Sequence, residues 1–174
     1  VAFLCLVIVE SHLIKWEGKM VSGASGARIE LDGEDKWQPA RLIPTSGIKG
    51  VDEQEKRATS ALLSVMMAVP EFSRILLKKA GAPAGQLKTY IEPEFTLEPG
   101  TKIRPDGALI VRRGGSVWKA LVEVKTGTDD LRLDQIEAYL DLARERGFNA
   151  VITVSNQLSI ASEDHPLAVD RRLT

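Results

Sequence analysis

Between Asp52 and Asn156 the apolar residues change period twice, and that succession limits the fold more than any other feature of the chain. Thr59, Leu62, Leu63, Met66 and Val69 recur every three or four residues, the spacing of one helix face, until Pro70 ends or kinks the run. Glu71–Lys79 continues as a second short amphipathic helix and stops at the breaker cluster Gly81-Ala82-Pro83. Three strand-like stretches follow, Thr89–Leu97, Ile103–Val111 and Val117–Lys125, with prolines at Pro93 and Pro105 that argue for an edge or a bulge. Between the last two, Arg112-Arg113-Gly114-Gly115-Ser116 predicts a hairpin, because Gly-Gly supplies the positive φ that tight turns need. Leu131–Arg146 returns to the helical period, with Gly147 in the C-cap position, and Ala150–Val154 is a short apolar run of buried-strand type. The order helix, three strands, helix, strand implies an α/β (α+β) mixed sheet: antiparallel hairpins first, then a right-handed crossover to a parallel strand.

A chain of 174 residues supports one full domain and is short for two. The expected division is an arm over 1–51, a core over 52–156 and a polar tail over 157–174 that stops abruptly after Arg171-Arg172. Within the arm, Ala27–Leu31 alternates as a short strand would. Trp16 and Trp37 of the arm and Trp118 of the core are expected to serve packing rather than a base-stacking platform. The run Ala2–Val9 is apolar but far below the roughly 20 residues a membrane span needs. It also lacks a basic flank before it, so no membrane partner and a cytoplasmic location are expected. Val1–Lys19 reads as an upstream extension with Met20 opening the functional protein; if native, the run is a strand or helix end packed on the core.

Lys and Arg total 23 against 24 Asp and Glu, so no overall positive field attracts nucleic acid or anionic lipid. A single cysteine excludes an internal disulfide or thiolate cluster, and two histidines make a structural zinc site improbable. Chemistry must be sought among carboxylates.

Leu121-Val122-Glu123-Val124-Lys125 supplies them, because it sets an acid and a base in an otherwise apolar strand. Residues two apart share a strand face, so Glu123 and Lys125 point the same way, at a cost unless each is paired or bound to a metal. The hairpin brings Asp106 of the preceding strand across from the Glu123 region. Carboxylate oxygens are hard ligands suited to Mg²⁺, which acidifies bound water and offsets charge on a phosphoryl oxygen. A lysine alongside can orient the attacking water or neutralise phosphorane charge, so the chemistry implied is phosphodiester hydrolysis.

Arg104-Pro105-Asp106-Gly107, followed after a hairpin by Val122-Glu123-Val124-Lys125-Thr126-Gly127, resembles the PD-(D/E)XK nuclease superfamily, in the element order of its common core. Gln135-Ile136-Glu137-Ala138-Tyr139 is similar to the QxxxY element of its RecB-type branch; Gln135 and Tyr139 lie roughly 40° apart on one helix face. Glu55, seven residues before Leu62 and roughly 20° off its direction, matches the acid that members often carry on the first helix, whereas Glu53 points away.

The resemblance covers about Asp52 to Asn156 and implies a restriction-endonuclease-like fold, dependence on Mg²⁺ or Mn²⁺, and cleavage of nucleic acid, usually DNA, in repair or defence. It assigns Asp106 and Glu123 as metal ligands with Glu55 as a third, Lys125 as the catalytic lysine, and Gln135 and Tyr139 as supporting residues. Arg112, Arg113 and Lys119 are candidates to meet a phosphate backbone, although a solvated hairpin tip explains the arginines equally well. A homodimer or a partner protein is compatible with the sequence. The competing reading is a nuclease-fold module that binds nucleic acid or protein without turnover.

Overall fold

The computed structural model of the chain describes residues 5–10, 33–42, 51–97, 100–126 and 131–155, the first six and residues 51–53 by backbone alone. The Ala27–Leu31 strand, Trp16 and the tail over 157–174 lie outside these residues.

Helix α1 (Val51–Ala68) turns Leu63 and Met66 to the core. It ends where the sequence requires, since the residue before a proline is pushed out of the helical region: Val69 has φ −122° and ψ 85°. Pro70 then opens α2 (Pro70–Lys78) as its first residue, and the two helices meet at 106°. No single helix among the described residues is long and apolar enough to cross a membrane.

Six strands form one mixed sheet in the order β1-β8-β7-β6-β3-β2. Strands β3 (Gln86–Ile91), β6 (Gly107–Arg113) and β7 (Ser116–Val124) are antiparallel neighbours. After α3 (Leu133–Arg146) the chain returns as β8 (Ala150–Ser155), parallel to β7. Gly147 caps α3 in the left-handed conformation with φ 65°, and Gly114 at φ 56° turns the β6–β7 hairpin. Segments ahead of α1 extend both edges: β1 (Cys5–Glu10) runs antiparallel to β8, and β2 (Gln38–Pro39) lies against β3.

The sequence pattern runs the first two strands too long. Two prolines divide them. The first strand ends at Ile91 rather than at Leu97, because Glu92 takes φ 47° and Pro93 has no N–H to continue the ladder. Phe95–Leu97 (β4) then pairs with Thr101–Ile103 (β5) as a separate two-stranded ribbon. Arg104-Pro105-Asp106 connects β5 to β6, so Ile103 and Gly107 belong to different strands and Asp106 stands just before a strand.

Alternation along β7 separates two cores. Trp118, Ala120, Val122 and Val124 pack with Leu63, Met66 and Leu77 on the α1–α2 face. Leu121 packs with Ile136, Tyr139 and Leu140 on the α3 face, where Trp37, Tyr90, Phe95 and Phe148 also meet edge to face. Trp37 and Trp118 are both core residues. Glu123 shares the α3 face with Leu121, so a carboxylate stands in apolar company.

Candidate active site

Glu123 is 0% exposed, and a carboxylate there is tolerable only with partners. Helix α3 supplies one of them: the Tyr139 hydroxyl donates to Glu123 Oε2 at 2.9 Å. The Gln135 amide in turn donates to the Tyr139 oxygen at 2.9 Å. The four-residue spacing thus works as the helix period requires, stacking the two side chains on the face turned to β7.

Lys125, one residue past the end of β7, keeps its backbone in line by donating to the Val154 carbonyl at 2.8 Å. Its ammonium lies 3.0 Å from Glu123 Oε1 and 3.2 Å from Glu55 Oε2. Glu55 comes from the first part of α1, and its Oε1 accepts from the Thr126 backbone N–H at 3.3 Å. Asp106 closes the group. Extending the β6–β7 register one step beyond the Gly107 and Val122 pair sets Asp106 opposite Glu123, and Asp106 Oδ2 accepts from the Val124 N–H at 2.8 Å. Gly107 allows α1 to lie this close: a Cβ there would stand 2.7 Å from Leu63 Cδ1.

Three carboxylates therefore face one ammonium. Burial first, and the Glu123 charge next, push the Asp106 carboxyl up to about 7, against the pull of the Val124 N–H and Lys125. For Lys125 burial acts to lower the pKa, but the charge of Glu123 and hydrogen bonds to Glu123 and Glu55 outweigh it and hold the ammonium above the ordinary lysine value. Burial and then the Glu123 charge raise the Tyr139 phenol, which keeps it a donor.

The donor set suits a small, hard cation: Asp106 offers oxygens from the turn before β6 and Glu123 from β7, and the buried Glu123 Oε1 has the Lys125 ammonium 3.0 Å away. Among the described residues, however, no three His, Cys, Asp or Glu side chains are gathered as an ion would hold them. The Lys125 ammonium occupies the space between Glu55 and Glu123.

All six residues assigned to the centre by resemblance, Glu55, Asp106, Glu123, Lys125, Gln135 and Tyr139, are brought together. The three basic candidates are not. Arg112, Arg113 and Lys119 sit toward the hairpin end of β6 and β7, five or more residues along the strands from Gly107 and Val124, or roughly 17 Å and beyond. Arg112 donates to buried Glu34, whose other oxygen accepts from Tyr90. Lys119 donates to the Arg146 carbonyl and lies over the Phe148 ring, and burial lowers its pKa. Arg113 is exposed.

At the same end of the sheet Lys56 and Arg104 are both bound to Glu92, whose N–H donates to the Asp106 carbonyl at 3.0 Å. Sequence reasoning passes over all three: Lys56 follows an acid-rich helix start, Arg104 flanks a motif, and Glu92 stands before a proline. A cavity of about 350 Å³ at the α1–α2 elbow, walled by Met66, Leu77, Leu87 and Val111, has no carboxylate and belongs to the opposite end of the sheet.

Comparison with protein-family models, with curated proteins and with solved structures returns no match.

Proposed function

We propose that this chain is a metal-dependent nuclease that hydrolyses phosphodiester bonds in nucleic acid, with DNA as the expected substrate. The observation that carries the reading is the single connected set formed by Glu55, Asp106, Glu123, Lys125, Tyr139 and Gln135, drawn from two helices, β7 and the turn before β6. The strand order β8-β7-β6-β3, with α1 ahead of it and α3 crossing over, supports a restriction-endonuclease-like core.

Asp106 and Glu123 would hold Mg²⁺ or Mn²⁺, with Glu55 as a third oxygen donor. A bound ion would lower the pKa of its water and neutralise phosphoryl charge. Lys125, held protonated, can donate to a phosphoryl oxygen or to the attacking water. Tyr139 ties down one oxygen of Glu123 and leaves the other facing the Lys125 side, with Gln135 fixing the phenol in turn.

The test is cleavage of labelled DNA in Mg²⁺ or Mn²⁺. EDTA should stop it, and Asp106→Ala, Glu123→Ala and Lys125→Ala should each lower the rate by at least about 10²-fold in a folded protein. Cleavage that persists in all three variants would end the proposal. A second reading, a nuclease-fold module without turnover, draws on the ammonium lodged between Glu55 and Glu123. It requires nucleic-acid or protein binding with no cleavage in either metal.

A further inference from the structure

Two cations at the open end of the sheet are held by one acid, Glu92. Lys56 Nζ lies 2.8 Å from Glu92 Oε1, and Arg104 Nη2 lies 3.1 Å from Glu92 Oε2. Lys56 is the neighbour of Glu55 on α1, Arg104 stands two residues before Asp106, and Glu92 donates its N–H to the Asp106 carbonyl. All three thus border the same end of the sheet as the centre, and solvent reaches them: the Lys56, Arg104 and Glu92 side chains are 31%, 56% and 25% exposed.

The backbone marks Glu92 as well. Its φ of 47° is the only positive value at a non-glycine residue among the described residues. Left-handed backbone is unfavourable for a side chain of this kind and persists only where the surroundings impose it. Here the N–H bond to Asp106 and the Arg104 bond to the Glu92 carbonyl hold it, and the turn aims one carboxylate between a cation from α1 and one from the β5–β6 connection.

We propose that Lys56 and Arg104 form the phosphate-binding rim of the centre, and that Glu92 is a resident counter-ion which they exchange for the phosphodiester backbone of the substrate. This inference rests on the nuclease reading for its choice of ligand. Exposed ion pairs contribute little, so giving up Glu92 costs little, whereas a phosphate oxyanion offers Arg104 a two-pronged acceptor and releases counter-ions from the nucleic acid. The near-zero charge of the whole chain ceases to be an obstacle, because attraction need only be local. Counting Lys102 and Glu94 next to Arg104, three cations against two acids still leave the rim positive beside a centre rich in carboxylates, so a strand can be held while its scissile phosphate is presented to Asp106 and Glu123.

The test measures binding of short fluorescein-labelled single-stranded and duplex DNA by anisotropy, in EDTA so that nothing is cleaved, across a salt series. Lys56→Met with Arg104→Met should weaken binding by at least about tenfold and reduce the slope of log K against log salt by about 1.4 for single strands and about 1.8 for duplex. Glu92→Gln, which keeps the backbone bond to Asp106, should tighten binding by about fivefold. Lys78→Met, an exposed residue at the end of α2, should change neither. Circular dichroism establishes that each variant is folded. Unchanged affinity and slope in the double variant overturn the rim, as does the absence of measurable binding by wild type and Glu92→Gln alike. Cleavage in Mn²⁺ is scored separately: a working rim without cleavage defeats the nuclease reading alone, and cleavage with an unaltered double variant defeats the rim alone.

Discussion

The two ends of the β6–β7 hairpin carry clusters built from the same parts, a buried glutamate, a cation and a tyrosine hydroxyl. Nearer the turn Glu34 meets Arg112, with Tyr90 reaching it from opposite Ala108; at the open end Glu123 meets Lys125 and Tyr139. What separates them is charge balance. The Glu34 carboxylate answers a guanidinium, and together with the aromatic packing of Trp37 on Tyr90 it fixes the segment ahead of α1 to the sheet. Around Glu123, two further carboxylates crowd one ammonium, and one of them is driven to hold its proton up to about 7. A balanced buried pair maintains a shape. A surplus of buried acid is a standing cost, and groups perturbed in this way cluster at functional sites.

The widest gap between the clusters should appear when each loses its glutamate charge. Glu34→Gln leaves Arg112, with a side chain 17% exposed, without its carboxylate, and should destabilise the fold by about 3 kcal/mol while sparing cleavage below the melting transition. Glu123→Gln leaves Lys125 with Glu55 and relieves the repulsion on Asp106, so the loss should be the smaller of the two while cleavage disappears. Denaturant melts paired with a cleavage assay read both quantities. Equal destabilisation by the two substitutions would dissolve the distinction.

Asp106 gives the distinction a pH signature. Unfolded, its carboxyl titrates near ~3.9; folded, burial and the Glu123 charge raise it to about 7. Between those values the folded protein keeps a proton that the unfolded chain has released, so this group's contribution to stability falls as pH rises through that window and is flat above it. Asp106→Asn should remove the fall. In EDTA the variant should match wild type near pH 4 and exceed it at pH 8, by on the order of 2–4 kcal/mol. Thermal melts across that range settle the point, and parallel curves for the two proteins would count against a protonated Asp106.

Next in size is the seam that brings α1 to the centre. Gly107→Ala sets a methyl group 2.7 Å from Leu63 Cδ1 and 3.1 Å from the Tyr90 carbonyl, and overpacking of this kind costs about 1–3 kcal/mol. Because Glu55 rides on α1, cleavage should fall along with stability.

The open-end cluster was legible in the sequence because its residues break their local patterns. Glu123 and Lys125 interrupt an apolar strand, Asp106 follows a proline at hairpin distance, and Gln135 and Tyr139 share a helix face. The turn-end cluster breaks no pattern: Glu34 lies in a stretch of Gly, Asp and Pro without a period, and Arg112 reads as part of a polar hairpin tip. Their pairing spans 78 positions, a relation that only the closed sheet creates. The same limit applies to Lys56, Glu92 and Arg104, which come from α1 and two separate connections. Pro93 and Pro105 did announce trouble in two strands; that each divides its strand outright, and frees Phe95–Leu97 for a ribbon, depends on the aromatic core waiting for Phe95.

The smallest difference falls on the two phenols, and it isolates what each hydroxyl is for. Tyr90→Phe and Tyr139→Phe each delete one donor to a buried glutamate and should cost about 1.5–3 kcal/mol, as bonds to charged groups do. Their stability losses should therefore differ little. Calorimetric titration with Mn²⁺ should still tell them apart. Without its phenol, Glu123 is free to rotate both oxygens among Lys125 and the Gln135 amide, so Tyr139→Phe should weaken Mn²⁺ binding by about 10-fold, the lower end of the effect of losing a partner that orients a metal ligand. Tyr90→Phe alters a glutamate whose oxygens answer Arg112, and its Mn²⁺ isotherm should overlay that of wild type. Identical isotherms for all three proteins would reduce Tyr139 to a packing residue with a satisfied hydroxyl, as Tyr90 is, and the likeness between the two ends would then extend to their purpose.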